Sequence, residues 1–195
     1  MTIIIHPCTF LDDCPMSLCT AAKTLFTAYA TELRDEHGCD LSFQSFQAEL
    51  DGLPGPFSFS AGGGLWVATY SDDGEDDVVS PSPGSVLPGG REPRPEDCVG
   101  CIALKVIGDG VAEVKRMYVS KGHRSKGIGR ALLRLTVKRA MAESYTVVKL
   151  DSLERLEGAV RLYEREGFKR CGKYVECPEE DHVCMELDIG SKATG

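Results

Sequence analysis

The stretch "MYVSKGHRSKGIGRALLRLTVKRA", residues 117–140, restricts the fold of this chain more than any other. A strand-like run ends at Val119, and an amphipathic run begins just after Gly127 and Gly129. A helix that starts there leaves its first backbone N–H groups unpaired and carries about half a positive charge at that end. Glycines let a ligand approach those amides without meeting a Cβ, so the junction predicts a strand–turn–helix built around an anion, phosphate being the usual guest. Arg124 and Lys126 charge its rim, and Arg130 falls in the first helical turn. Two nucleotide-binding patterns do not fit. Gly122 and Gly127 have Walker spacing, but Ile128 and Gly129 stand where Lys and Ser/Thr belong. A dinucleotide fingerprint needs a third glycine at position 132, which is Leu132.

Charge sharpens the picture. The 195 residues sum to −8 at pH 7, yet residues 115–139 hold nine Lys or Arg and no acid. Residues 71–97 hold eight acids against two arginines, a net −6. The basic strip has Tyr118 as its one aromatic and the remaining chain is acidic, so base stacking and phosphate tracking along nucleic acid are not expected.

Periodicity along the chain predicts a mixed α/β order. "TIIIHPC" reads as a strand and "PMSLCTAAKTLFTAYATELRDEH" as a helix ended by Gly38; "SFQSFQAELDG" reads as a short helix before the turn "LPGP". "GGLWVATY", "CVGCIALKVIGDG" and "VAEVKRMYV" read as three strands, followed by a helix to about Ser144. "YTVVKLD" (strand), "ERLEGAVRLYEREG" (helix), "FKRCGKYVE" and "HVCMELDI" (strands) complete the order. Residues 71–97, with five of the ten prolines, read as a flexible acidic insertion in a hairpin, and 191–195 as a tail to a single domain over 1–190.

No run approaches the roughly 20 apolar residues of a membrane span, and the first residues lack a basic, then apolar, secretory pattern. A cytoplasmic protein with no membrane association is expected. The nine cysteines then read as thiols and not a disulfide framework. Cys98 and Cys101 form a CxxC inside an apolar strand with no second ligand pair, which reads as core and not as zinc. No metal site is expected.

Arg-x-x-Gly-x-Gly, Arg124 to Gly129 directly after "MYV", resembles the core motif of the GNAT superfamily of acyl-CoA-dependent N-acetyltransferases. "LYEREGF", residues 162–168, is similar to that superfamily's second landmark, Leu-Tyr-x-x-x-Gly-Phe, on the following helix. A narrower likeness spans Leu25 to Leu187, through "LFTAYATEL", "LPGPF", "AEVKRMYV" and "CMELDI". It is to a subgroup of unassigned substrate that carries Leu-Pro-Gly-x-Tyr/Phe and Glu-x-Lys-Arg-x-Tyr-Val motifs. The long acidic insertion and the loop "YVECPEEDHV" depart from that subgroup. The resemblance implies the GNAT fold, a central mixed, twisted sheet of about six to seven strands flanked by about four helices.

It also implies roles. Backbone groups of Met117, Tyr118 and Val119 would bind the pantetheine arm of acetyl-CoA. Arg124, Ser125, Lys126, Gly127, Ile128, Gly129 and Arg130 would hold its pyrophosphate. Tyr163 would be the general acid at the departing thiolate, since a phenol keeps its proton at neutral pH. Asp151 or Glu113 would be the base; each could equally be structural, Asp151 as a helix-entry cap and Glu113 as an ion-pair partner of Lys115 or Arg116. Lys115 and Arg116, adjacent on a strand, should face opposite sides, with Arg116 near an acceptor that carries a carboxylate. Tyr29, Glu49 and Phe57 would line the acceptor side. His123 reads as an exposed loop histidine.

The expected activity is direct transfer of acetyl from acetyl-CoA to a small amine or amino acid by a monomer or homodimer. Acetylation of protein N-termini or lysines, and a non-catalytic acetyl-CoA-binding module, are the alternatives.

Overall fold

A computed structural model of the chain describes residues 1–8, 16–41, 45–72, 77–79 and 93–190. Its elements are β1 (Thr2–Pro7), α1 (Met16–His37), α2 (Phe46–Asp51), β2 (Gly64–Ser71), β3 (Asp77–Val79), β4 (Cys98–Gly108), β5 (Val111–Val119), α3 (Ile128–Ala142), β6 (Val147–Leu153), α4 (Glu157–Arg165), β7 (Lys169–Arg170) and β8 (His182–Asp188). The strands form one sheet in the order β3-β1-β2-β4-β5-β6-β8-β7. The mixed α/β expectation holds, with eight strands. The additional one is β3, a three-residue edge too brief for an alternation pattern to register, and the strand expected over 168–176 shortens to the two residues of β7.

Part of the expected flexible insertion is ordered. Asp77–Val79 pairs in parallel with Thr2–Ile4 of β1, and Pro95–Asp97 forms a helical turn leading into β4. Residues 73–76 and 80–92, and the expected tail 191–195, lie outside the described residues. None of the described helices is long and apolar enough to cross a membrane.

Both faces of the sheet are covered, which is why its central strands read as near-continuous apolar runs. Alternate residues serve opposite layers. Trp66, Ala68, Ile102 and Leu104 pack with Ile128, Leu132 and Leu133 of α3 and with Val160 of α4. Leu65, Val67, Cys101 and Ala103 pack with Leu18, Ala22, Leu25 and Phe26 of α1. Cys98 and Cys101 are therefore core thiols: burial pushes Cys98 up to about 12, and Cys101 higher still. None of the eight described cysteines is in a disulfide.

Two irregularities in β5 create the site. Cys101 pairs with Tyr118 and Ala103 with Lys115, so β5 carries one residue more than β4 between those rungs. The bulge sits at Arg116, whose φ is 54°. A bulge shifts the parity of the strand. Lys115 and Arg116 consequently both project to the α1/α2 face, where the regular-strand expectation had placed them on opposite sides. The second irregularity is a parting of strands. β5 and β6 pair in parallel only from Val111–Val147 to Val114–Leu150, while β6 stays paired with β8 through Leu153. Beyond Val114 the edge of β5 has no strand beside it, and a wedge opens between β5 and β6.

Candidate active site

The wedge opens into a groove of about 710 Å³. One wall is the turn before α3. Ser125 and Gly127 take left-handed backbone conformations, φ 63° and 79°, the second as the residue preceding the helix. That geometry directs the chain so that Ala131 is the first residue of α3 to bond back, to the Gly127 carbonyl at 3.0 Å. Backbone N–H groups of residues 125–130 donate to none of the described residues. Such a nest of amides is an anion site. Arg124, Arg130, Arg155 and Arg165 add positive side chains to the lining.

Those charges are not idle. Arg124 Nε donates to the Val119 carbonyl at 3.0 Å, and its Nη2 donates to Glu32 of α1 at 2.5 Å. Glu32 also accepts from the Tyr118 hydroxyl at 3.3 Å, and Lys121 pairs with Glu36. α1 is thereby tied to the turn. Arg130 and Arg134, both 2.6 Å from Glu166, tie α3 to the end of α4. Glu32, Glu36 and His37 bring possible ligand atoms within 4.8 Å of one another, but both carboxylates already serve these cations.

At the inner end of the groove lies a chamber of about 70 Å³. Leu33, Leu41, Leu153 and Leu156 give it apolar walls; Tyr29, Lys115, Arg116, Asp151 and Tyr163 give it polar ones. Tyr163 stands on the inner face of α4, its ring 6.0 Å from that of Phe168. Burial, with smaller contributions from Tyr29 and Asp151, raises its phenol well above the ordinary value near 10. Burial raises the Tyr29 phenol likewise. Neither hydroxyl bonds another described residue, so both are hydrogen-bond donors facing the chamber with their protons held firmly.

The chamber's charges are paired within the chain. Lys115 Nζ lies 2.6 Å from Asp151 and 3.2 Å from Glu113. Glu113 also accepts from Lys105 at 2.9 Å and from the Tyr174 hydroxyl at 2.9 Å. Asp151 has His182 Nε2 at 3.4 Å on its second oxygen. Burial would raise the Asp151 carboxyl, but Lys115 and His182 overcome it and hold it below its ordinary value. Arg116 meets Glu49 with two nitrogens, at 2.6 and 3.2 Å, and lies under the Phe46 ring.

Set against the sequence expectations, Met117, Tyr118, Val119, Arg124, Ser125, Gly127, Ile128, Gly129 and Arg130 all line the groove. Lys126 does not; its ammonium sits over the Tyr70 ring at 4.3 Å. Tyr29, Arg116, Asp151 and Tyr163 line the chamber. Glu113 lines neither cavity, because three donors enclose its carboxylate at 2% exposure. Phe57 is fully buried edge-on against Phe26 in the α1 layer, and Glu49 meets the chamber only through Arg116. His123 belongs to the groove lining, with Nδ1 3.0 Å from the Ser120 hydroxyl. Arg155, Arg165, Tyr174 and His182 went unnoticed in sequence; all lie outside the two motifs except Arg165, which occupies a variable motif position.

Comparisons with known proteins supply the family. The sequence profile described as Acetyltransferase (GNAT) family matches residues 58–168. An uncharacterized N-acetyltransferase of Schizosaccharomyces pombe is 34% identical over 92 residues, 47% of this chain and 56% of that protein. An N-acetylaspartate synthetase of Danio rerio is 38% identical over 65 residues, 33% of this chain and 23% of that one. The chain thus spans about half, or less, of the length of these curated relatives. A crystal structure of a GNAT-family acetyltransferase from Staphylococcus aureus superposes with a TM-score of 0.61 at 16% identity, covering 87% of this chain and 94% of that one. At that identity the likeness speaks for the fold.

Proposed function

The chain belongs to the GNAT family of acetyltransferases, and on that footing we propose that it transfers acetyl from acetyl-CoA directly to the amine of a small acceptor. The observation that carries the reading is the continuity of an anion-binding groove with a small chamber at the parting of β5 and β6. The amides of residues 125–130, with Arg124 and Arg130, suit the pyrophosphate. The exposed edge of β5 at Met117, Tyr118 and Val119 suits the pantetheine amides, which can bond there as a strand would. This path brings the thioester to the chamber mouth.

The chemistry is addition of an amine nitrogen to the thioester carbonyl, followed by departure of the thiolate. Holding both reactants in line supplies most of the acceleration. Tyr163 donates to the departing sulfur. With its phenol raised above the usual value it stabilises the thiolate by a hydrogen bond, and the proton released from the acylated nitrogen neutralises the sulfur or passes to water. Asp151, the one carboxylate among the described residues of the chamber wall, takes the proton of the acceptor ammonium, directly or through water, so that the neutral amine attacks. Glu113 keeps Lys115 in place.

A chamber of about 70 Å³ favours a compact amine. Its two cations are occupied by Glu49, Glu113 and Asp151, so an amino-acid carboxylate has to share Arg116 with Glu49. One relative is named for N-acetylating aspartate, which makes amino acids the first class to compare with simple amines. The narrower subgroup likeness is supported by the places its motifs occupy, Glu-x-Lys-Arg-x-Tyr-Val being the bulged strand itself. A thiol-release assay over simple amines, amino acids and peptides tests the proposal. CoA release with a compact amine is expected; turnover with peptides alone would move the acceptor to protein termini or lysines, and none with any amine would leave a binding module.

A further inference from the structure

Five residues line both the groove and the chamber: Tyr29, Leu33, Met117, Leu156 and Ala159. They form the passage between the two. Four of them offer only apolar side chains there, so Tyr29 supplies the one side-chain hydrogen-bond donor. Tyr163 lines the chamber but not the groove. The reacting thioester, reached from the groove and attacked from the chamber, belongs in this passage.

Two atoms of that thioester gain negative charge in turn, the carbonyl oxygen as the amine adds and the sulfur as it leaves. With Tyr163 serving the sulfur, the oxygen can draw on the open backbone edge of β5 at Met117 and on one side chain of the passage, Tyr29. We propose that the Tyr29 hydroxyl donates a hydrogen bond to the thioester carbonyl oxygen and stabilises the oxyanion of the tetrahedral intermediate. The inference rests on the reading of the groove as an acetyl-CoA site.

The placement of Tyr29 fits that role. Its ring lies 6.1 Å from that of Tyr118, and its hydroxyl bonds no other described residue. Glu32 and Glu36, on the same face of α1, hold the helix against Arg124 and Lys121 of the anion-binding turn. A donor fixed before the substrate arrives costs no reorganisation when charge develops. No proton leaves Tyr29 in the step. The N–C bond forms as the carbonyl π pair moves to oxygen; that pair returns as the C–S bond breaks, and the proton lost from nitrogen ends on sulfur or in water.

Isotope-edited infrared spectroscopy of bound acetyl-CoA, labelled with carbon-13 at the acetyl carbonyl, tests this without any acceptor. In the wild-type protein the carbonyl stretch should lie below its position in an aprotic solvent. Tyr29→Phe should lose most of that shift and Tyr163→Phe should keep it, while melting temperature and acetyl-CoA affinity confirm that each variant is folded. In turnover, Tyr29→Phe should lower kcat by about a hundredfold with KM for acetyl-CoA within about threefold, the scale of losing one oxyanion donor. A Tyr29→Phe protein that binds acetyl-CoA and keeps the carbonyl shift, or keeps kcat, overturns the proposal and leaves the groove reading intact. A wild-type protein that does not bind acetyl-CoA overturns both.

Discussion

Glu113 and Asp151 are alike in sequence terms, each an acid near the end of a strand, and differ in what surrounds them. Glu113 is enclosed by Lys105, Lys115 and Tyr174 and reaches neither cavity. Glu113→Leu takes the acceptor from Lys105 and from the Tyr174 hydroxyl and leaves Lys115 with Asp151 alone, a loss expected to cost about 3 kcal/mol in a urea titration. Asp151→Asn acts at the chamber wall, so its larger effect should be on kcat/KM for the amine. Its effect on stability has a definite sign. Because the folded carboxyl is held low, the stabilisation it gives is complete above about pH 4 and disappears as pH falls through the lower folded value. Asp151→Asn should therefore flatten the acid side of the stability profile below pH about 4. A variant with the wild-type's full acid sensitivity would contradict the ion pairing seen at Lys115.

The elements show which parts of this arrangement a sequence discloses. The α3 entry was legible because its conformations demand particular residues: a Gly127 at φ 79° is a local requirement written in a local symbol. Gly127→Ala should cost about 1–2 kcal/mol in stability and weaken acetyl-CoA binding more than a substitution at exposed Lys138 does. The bulge in β5 carries no such symbol. Arg116 occupies a left-handed φ that any L side chain resists, held there by a bidentate pairing with Glu49, 67 residues away in the chain. The short edge strand β3 owes its order to its neighbour β1 and not to its own pattern. β1 gives another element-scale prediction. His6 on that strand is 3% exposed, with Nε2 3.0 Å from the Thr69 hydroxyl, and burial lowers its imidazole to about 4. The folded state thus binds fewer protons than the unfolded one between pH about 4 and 6.5, and stability rises with pH across that window by roughly 2–3 kcal/mol. His6→Gln should remove that slope in denaturant titrations; an unchanged slope would place its origin elsewhere.

At the scale of the molecule, the basic strip and acidic total resolve into one design. Lys121, Arg124, Arg130, Arg134 and Arg139 each meet a carboxylate of α1, of α3 itself or of the end of α4, so the strip mainly binds helices to the turn and leaves backbone amides for the ligand. The two landmark motifs mark the groove because they lie on consecutive helices, α3 and α4, that both line it. The chamber was far less legible: its walls come from α1, the loop after it, β5, β6, α4 and Cys177 of the β7–β8 loop, and only the folded chain brings them together. The account as a whole stands on acetyl passing from acetyl-CoA in the groove to an amine in the chamber, CoA leaving, with no acyl-enzyme between. A single-turnover experiment with acetyl-labelled acetyl-CoA and an accepted amine tests it directly. Label should pass from acetyl-CoA to the amine, with CoA appearing at the same rate and none bound covalently to protein; labelled protein formed before the amine is added, or no transfer at all, would contradict it.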